Sequence, residues 1–570
     1  MSETTEIPEK IASPQAPQVA EGSTMSHKQI LVVFGSLMLG LLLASLDNTI
    51  VSTAIRTIIG DIGGQNGLAR MPWVTTAYVL ASTAATPIYG KLSDLFGRKP
   101  LYMTAIALFL TGSALSGFSQ NLNELIAFRA LQGLGAGGIL GLTFAIVGDV
   151  VPPRERGKYQ GLFGGVFMLA MVAGPLLGGI FTEHSSILGI TGWRWVFYVN
   201  LPIGILSLFI ISAVLHLPKR RVKAAIDYVG AALVVAGVVC LLLAAQMGGQ
   251  QYAWGSPVII GLAVAGVVVL AAFVMWEIRT PEPILPMRLF RGDVFRVSSV
   301  MGFLIGMVMM GAMMYIPFYF QVVNGDSPTK AGLRMLPMMV GLLTTSISSG
   351  RIISRTGRYR FFPIAGIATT TVGLGLMTTM DENTNFAVGA LFMFIVGLGL
   401  GATMQVLILA VQNAVDMKDM GVATTSSTFF RSLGQTFGAA IMGAILTNQL
   451  TSHLKSNAGP GAALAPVRDH GMQILQSEGA MSKLPLPVQH VLIHSFTQAL
   501  STVFLVGAIL SLIAWFASWF LKEHKLRSMS VADARKAAGS GSGPGAGSGS
   551  GSGSDSGTGS SDMEAPALAH

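Results

Sequence analysis

The sequence predicts an all-α membrane protein, with about fourteen transmembrane helices forming two six-helix bundles and an inserted two-helix hairpin. Three observations lead there. Of 570 residues, 51% are hydrophobic and only 11% charged, and the mean hydropathy is +0.61, whereas a soluble chain carries about 25% charged residues. The remaining charges sit in short clusters between apolar runs. Each run supplies the roughly 20 residues needed to cross a bilayer core of about 30 Å. The net charge of +9 does not point to nucleic acid, because a nucleic-acid binder gathers its basic residues on one solvated face.

The runs lie near 29–53, 70–90, 101–120, 124–147, 158–182, 195–217, 228–247, 256–277, 297–322, 330–350, 361–380, 386–413, 420–446 and 496–521. Only Gln246 to Trp254 separates the seventh from the eighth, and without that hairpin twelve remain. The expected organisation is a disordered cytoplasmic tail over 1–28 and a first bundle over 29–217. The hairpin and its flanking loops follow over 218–294, then a second bundle over 295–527 and a disordered Gly/Ser-rich tail over 528–570. An external loop of about 448–495 interrupts the second bundle, with Leu486–His494 as a short amphipathic helix at the interface. Met1–Met25 has no basic leading segment, so no cleavable signal peptide is expected. Cys240 is the single cysteine, which excludes an intrachain disulfide.

Lys and Arg accumulate in alternate loops: Lys91/Arg98/Lys99, Arg154/Arg156/Lys158, Lys219–Lys223, Arg279–Arg291 and Arg351–Arg360. The loops around Gln120–Asn123, Gly248–Pro257 and Asp381–Asn385 hold none. The positive-inside rule then places both termini in the cytoplasm and the chain in the cytoplasmic (inner) membrane.

One basic loop, "GKLSDLFGRK" at 90–99, has an echo in "GRIISRTGRY" at 350–359. Gly90, Lys91, Gly97 and Arg98 match Gly350, Arg351, Gly357 and Arg358, while Asp94 is replaced by Ser354. Repetition of this kind marks transporters built from two similar bundles. The loop resembles motif A of the major facilitator superfamily. "LASLDNTIVSTAI" at 43–55 is similar to the first-helix signature of its fourteen-helix drug/proton antiporters (the EmrB/QacA type). "LIAFRALQGLGAGG" at 125–138 resembles motif B, "GVFMLAMVAGPLLGG" at 165–179 resembles motif C, and "GWRWVFYVNLPIG" at 192–204 is typical of the same branch. The motifs occur in the family's order and span nearly the whole membrane part.

Chemistry underlies each motif. Gly90 and Gly97 permit close helix approach and a tight reversal. Asp94 can accept from Arg98 and from a helix N-terminus, and Asp149 is a second acid on the same side. The resemblance implies that Asp94, Arg98 and Asp149 form a cytoplasmic latch holding the outward-open state; the alternative is a charge cluster that only fixes orientation. Asp47 lies within the first run, past its midpoint. An intramembrane acid marks an ion or proton pathway by default, and its carboxylate, once ionised, can also attract a cationic drug. The alternative is an acid near a helix end. The resemblance assigns Arg129 to proton coupling, the alternative being an interfacial arginine that snorkels outward. Gly165, Gly174, Pro175, Gly178 and Gly179 allow close packing and a kink, which the resemblance reads as the seal of an exporter.

The second half is poorer in charge. Its intramembrane ion is Arg431, accompanied by Thr424, Thr425, Ser426 and Gln435. Tyr315, Tyr319, Gln321, Gln405 and Gln412, with Gln132 from the first half, are candidate lining groups of an adaptable, methionine-rich substrate pocket. No nucleophile–base set or metal spacing suggests an enzyme, and no filter or charge ring suggests a channel. The expectation is a monomeric proton-coupled antiporter, without a cofactor, that exports amphipathic drugs through the lipid bilayer. The runner-up is export of one natural product, lipid or peptide on the same fold.

Overall fold

The computed structural model describes residues 27–64, 67–151, 153–215, 227–249, 251–457, 471–472, 474–475 and 484–526. Residues 1–26 and 528–570 of the two expected tails, 22 of the 48 residues of the expected external loop and the basic stretch 216–226 lie outside the described residues.

The chain is nearly all helical. The first half comprises α1 (His27–Ile62), α2 (Gly67–Phe96), α3 (Arg98–Phe118), α4 (Leu122–Val150), α5 (Pro153–Gln160), α6 (Phe163–Glu183), the single turn α7 (Trp195–Tyr198) and α8 (Asn200–Val214). The hairpin is α9 (Tyr228–Met247) and α10 (Pro257–Arg279). The second half follows as α11 (Asp293–Val323), α12 (Pro328–Arg334), α13 (Leu336–Thr356), α14 (Phe361–Met377), α15 (Phe386–Ala414), α16 (Met420–Asn457) and α17 (Leu486–Ser518). Among the described residues, 12 helices are long and apolar enough to cross a membrane, α7 and α8 counting together. The shorter α14 and the Thr- and Ser-rich α2, whose buried side chains face other helices, complete the expected set.

Several boundaries differ from expectation. α1 runs on to Ile62 and α16 to Asn457, beyond the runs expected to end at 53 and 446. The segment Leu486–His494 is the first part of α17 and not a separate interfacial helix. An apolar run reports where a helix meets hydrocarbon, and polar turns can prolong the helix outside it. The run 158–182 is broken between α5 and α6. At the break Leu162 N donates to Tyr159 O at 3.1 Å and Gly165 N to Leu162 O at 3.0 Å, a tightened three-residue spacing. The run 330–350 bends at Met335, just before Pro337, which is tolerated in the first turn of α13.

α2 and α3 pack on α4, and α6 and α8 pack on α1. In the second half α13 and α14 pack on α15, while α11, α16 and α17 pack together. The halves meet where α2 and α4 touch α16 and where α5 touches α13. The hairpin does not stand apart from this joint. Val234, Val238 and Leu242 of α9 share one apolar cluster with Leu80 and Ala84 of α2 and with Val422 and Phe429 of α16. α10 covers α9 and exposes Val264, Val267 and Val268 on its other side.

Candidate functional site

The longer α1 puts Asp47 near the middle of its helix and not towards the outer end. The carboxylate is completely buried. Its Oδ2 accepts from Arg129 Nη1 at 2.5 Å. Its Oδ1 accepts from Gln132 Nε2 at 2.7 Å and from Asn200 Nδ2 at 2.9 Å. Arg129 Nη1 also donates to Gln132 Oε1 at 2.9 Å, and its guanidinium lies 4.2 Å from the centre of the Tyr78 ring. Spacing on α4 explains why Arg129 and Gln132 act together: residues three apart share a face.

Arg129 is itself 0% exposed, so it does not snorkel. The ring of Tyr78 and the Asp47 carboxylate hold it within the bundle, while its Nε and Nη2 have no hydrogen-bond partner. A buried ion pair tolerates the loss of one partner poorly, at a cost of about 3–5 kcal/mol. Gln132, expected in the substrate pocket, belongs instead to the surroundings of Asp47. Asn200 was not singled out by the sequence reading. The available signal was an amide buried in the apolar stretch "FYVNLPIG". It also donates to Ser113 Oγ at 3.0 Å, which ties α8 to α3.

The structure brings Gly90, Asp94, Gly97, Arg98 and Asp149 together at the end carrying the basic loops. Gly97 has φ 95°, a conformation only glycine adopts without strain, and it reverses the chain between α2 and α3. Arg98 donates to Asp149 Oδ2 at 2.8 Å, to Asp94 Oδ1 at 2.7 Å and to Ser93 Oγ. Asp94 then reaches across to the other half. Its Oδ2 accepts from Val422 N at 2.9 Å and its Oδ1 from Gly421 N at 3.3 Å, in the first turn of α16, where N–H groups lack a partner within the helix. Gly90 lets the two helices close: a Cβ there would sit 1.9 Å from Thr425 Oγ1.

The glycines of 165–179 divide by face. Gly174 and Gly178 lie against α1, where a Cβ would meet Thr49 Oγ1 at 2.1 Å and Thr53 Cβ at 2.9 Å. Thr49 Oγ1 fastens the same contact by donating to Ala170 O at 2.9 Å, just before the turn that Pro175 interrupts. Gly165 is only loosely covered, by Leu343 at 3.7 Å, and nothing lies within 4 Å of a Cβ at Gly179. The tighter approach to α13 is made by residues the sequence reading missed. A Cβ at Gly157 would meet Gly350 Cα at 2.9 Å, and one at Gly161 would meet Ser346 O at 2.9 Å. Gly350 begins the repeated motif.

The expected pocket residues do not converge on one pocket. Gln412 Nε2 donates to Phe144 O at 2.9 Å, bridging the halves near the Asp94–Arg98–Asp149 cluster. Tyr319 donates to Asp381 O at 2.6 Å at the far end, and half-buried Gln321 lies beside that end of α11. Tyr315 is buried with no partner for its hydroxyl. Gln405 alone lines an apolar cavity, with Met309, Met313, Met339, Leu342 and Met404. Arg431 is half-buried and points across the joint, its guanidinium 5.8 Å from the Phe144 ring centre.

Two repeated helical halves that meet along α2, α4, α5, α13 and α16 have the architecture of a multi-pass membrane transporter. The chain belongs to the major facilitator superfamily, whose family model matches residues 37–439. It is 37% identical over 519 residues to an "Uncharacterized MFS-type transporter" of Mycobacterium tuberculosis, covering 90% of this chain and 73% of the relative. It is 36% identical over 529 residues to the "Multidrug transporter protein MdtP" of Bacillus subtilis, covering 89% and 96%. Among solved structures the proton:xylose symporter XylE aligns with a TM-score of 0.59 at 15% identity, over 89% of this chain and 99% of XylE; that likeness concerns the fold.

Proposed function

We propose that the protein is a proton-coupled antiporter that exports amphipathic small molecules across the cytoplasmic membrane by alternating access. In this reading it works as a monomer with both termini in the cytoplasm, and the basic-loop end is the cytoplasmic end. The observation that carries the proposal is the buried Asp47–Arg129 pair with its amide partners Gln132 and Asn200. An intramembrane carboxylate of this kind is expensive unless it serves an ion pathway.

Protonation of Asp47 removes the charge that Arg129 pairs with. Arg129, which keeps its charge, then needs a new acceptor. A rearrangement of α1 against α4 and α8 follows, and those helices belong to the half that moves. The Asp94–Arg98–Asp149 cluster holds the cytoplasmic end shut by capping α16 from the other half, so the state described is closed inwards. The kinship with a protein named for multidrug transport supports the substrate class.

The test is Asp47→Asn in inverted vesicles with an imposed pH gradient and a panel of amphipathic compounds. The amide keeps the shape and loses the titratable charge, so gradient-driven accumulation is expected to fall to background while the folded protein remains in the membrane. Accumulation at the wild-type rate would place the proton carrier elsewhere.

A further inference from the structure

Deep within the spanning helices, the described charged side chains are Asp47, Arg129 and Arg431. The first two neutralise each other and are completely buried. The sequence suggested that Asp47 could attract a cationic substrate, but its paired and covered carboxylate is not presented to one in this state. Arg431 remains. Among the described residues it forms no ion pair, and its guanidinium lies over the face of Phe144. A guanidinium at membrane depth calls for an anionic partner or water.

The helical repeat locates it. Gln412 of α15 and Thr424 of α16 meet Phe144 of α4 in one layer, with Gln412 Nε2 on Phe144 O at 2.9 Å and on Thr424 Oγ1 at 3.4 Å. Seven residues along a helix return to the same face, about 10 Å further on. Seven beyond Thr424 stands Arg431, and seven before Gln412 stands Gln405. α15 and α16 run in opposite directions through the joint, so both residues lie one level further from the latch, on the same side. Gln405 is 7% exposed, its Oε1 has no partner, and it lines the methionine cavity. Gln435, one turn after Arg431, leans its amide on Met309 of that cavity at 3.5 Å.

We propose that Arg431 and Gln405 form the head-group site for the transported substrate, and that the substrate is an amphipathic organic anion. Its carboxylate or sulfonate pairs with the Arg431 guanidinium. A hydroxyl or N–H near the head donates to Gln405 Oε1, and the apolar body rests against Met309, Met313, Met339 and Met404. Methionines accept varied shapes there, because their side chains are unbranched and polarisable. The assignment rests on the reading of the protein as an exporter and narrows its substrate class.

The experiment uses the full chain in lipid nanodiscs, with no pH gradient and empty nanodiscs subtracted. The probes are dansyl-undecanoate and a dansyl-undecyl-trimethylammonium of equal chain length. The wild type is expected to bind the carboxylate at least about tenfold more tightly than the ammonium, the scale of one charged hydrogen-bonded partner. Arg431→Gln should abolish that preference, Arg431→Lys should retain part of it, and Gln405→Ala should weaken the carboxylate by a few-fold while leaving the ammonium unchanged. Equal or tighter binding of the ammonium by the wild type overturns the assignment. So does an Arg431→Gln variant that unfolds at the wild-type temperature and keeps the preference. Uptake of the same probes into inverted vesicles separates the two readings. Carboxylate binding without gradient-driven uptake sinks the export mechanism alone. Gradient-driven uptake of the ammonium with no carboxylate binding sinks the present assignment alone.

Discussion

Where α2 meets α16 the two halves are joined by charge: Asp94, steadied by Arg98 and Asp149, caps the first N–H groups of α16. Where α5 meets α13, the close approach is made by glycines. There Gly157 lies against Gly350 and Gly161 against the Ser346 carbonyl, backbone against backbone. Both joints close the same end. Their glycines come from related positions, since Gly350 is the counterpart of Gly90 in the repeated motif, and Gly97 and Gly357 both take positive φ, 95° and 72°. The acid, however, has no counterpart, because Ser354 stands where Asp94 would be. The repeat thus supplies two close contacts, and at the first of them an acid has been added. The ionic contact can be loosened by a change in charge, whereas the glycine contact is loosened by a change in shape.

Steric change at the glycine joint should have the largest effect. Gly157→Val places a Cβ 2.9 Å from Gly350 Cα, main chain that cannot rotate aside. The closed state should be lost, with transport down by more than about tenfold, as overpacking costs in the upper part of the range of about 1–3 kcal/mol imply. Spin labels at the basic-loop ends of α5 and α13 should move apart. Unchanged distances would show that the joint is not closed by shape.

Asp94→Asn tests the ionic joint more gently. It keeps the size of the cap while turning charge-assisted bonds of about 1.5–3 kcal/mol into neutral ones of about 0.5–1.5 kcal/mol, a difference that corresponds to roughly a 5–12-fold shift towards the open state. Labels at the ends of α2 and α16 should report it. A larger response here than at Gly157 would reverse the ranking of the two joints.

The smallest effect is expected at Lys91, whose Nζ is 2.7 Å from Glu282 Oε2 beyond the hairpin. Glu282 is 47% exposed, and such pairs contribute about 0–1 kcal/mol. Lys91→Met should therefore change the closed fraction by less than about fivefold in the same measurement. A shift matching that of Asp94→Asn would make the hairpin's tether part of the latch. The apolar cluster that α9 shares with both halves gives such a result a structural route.

The spans, the loop bias and the motif residues Gly90, Asp94, Gly97 and Arg98 were legible because their signals are local: a bilayer selects run length, and a tight reversal selects glycine. Asp47 and Arg129 were legible as expensive ions. The sequence by itself therefore determined the class of protein, its repeated halves and the identity of its costly charges. It did not determine who answers those charges. Gln132 sits on the face of α4 that meets α1, and Asn200 begins a helix that crosses the same place, a juxtaposition of residues 47, 132 and 200 that no periodicity encodes. The same holds for Gly157 against Gly350, for α9 laid over α2 and α16, and for Arg431 level with Gln405. In a membrane, lipid is as apolar as the helix surfaces, so hydropathy does not say which faces pair. Close packing of small residues and the satisfaction of buried polar groups decide it, and both exist only once the helices are assembled.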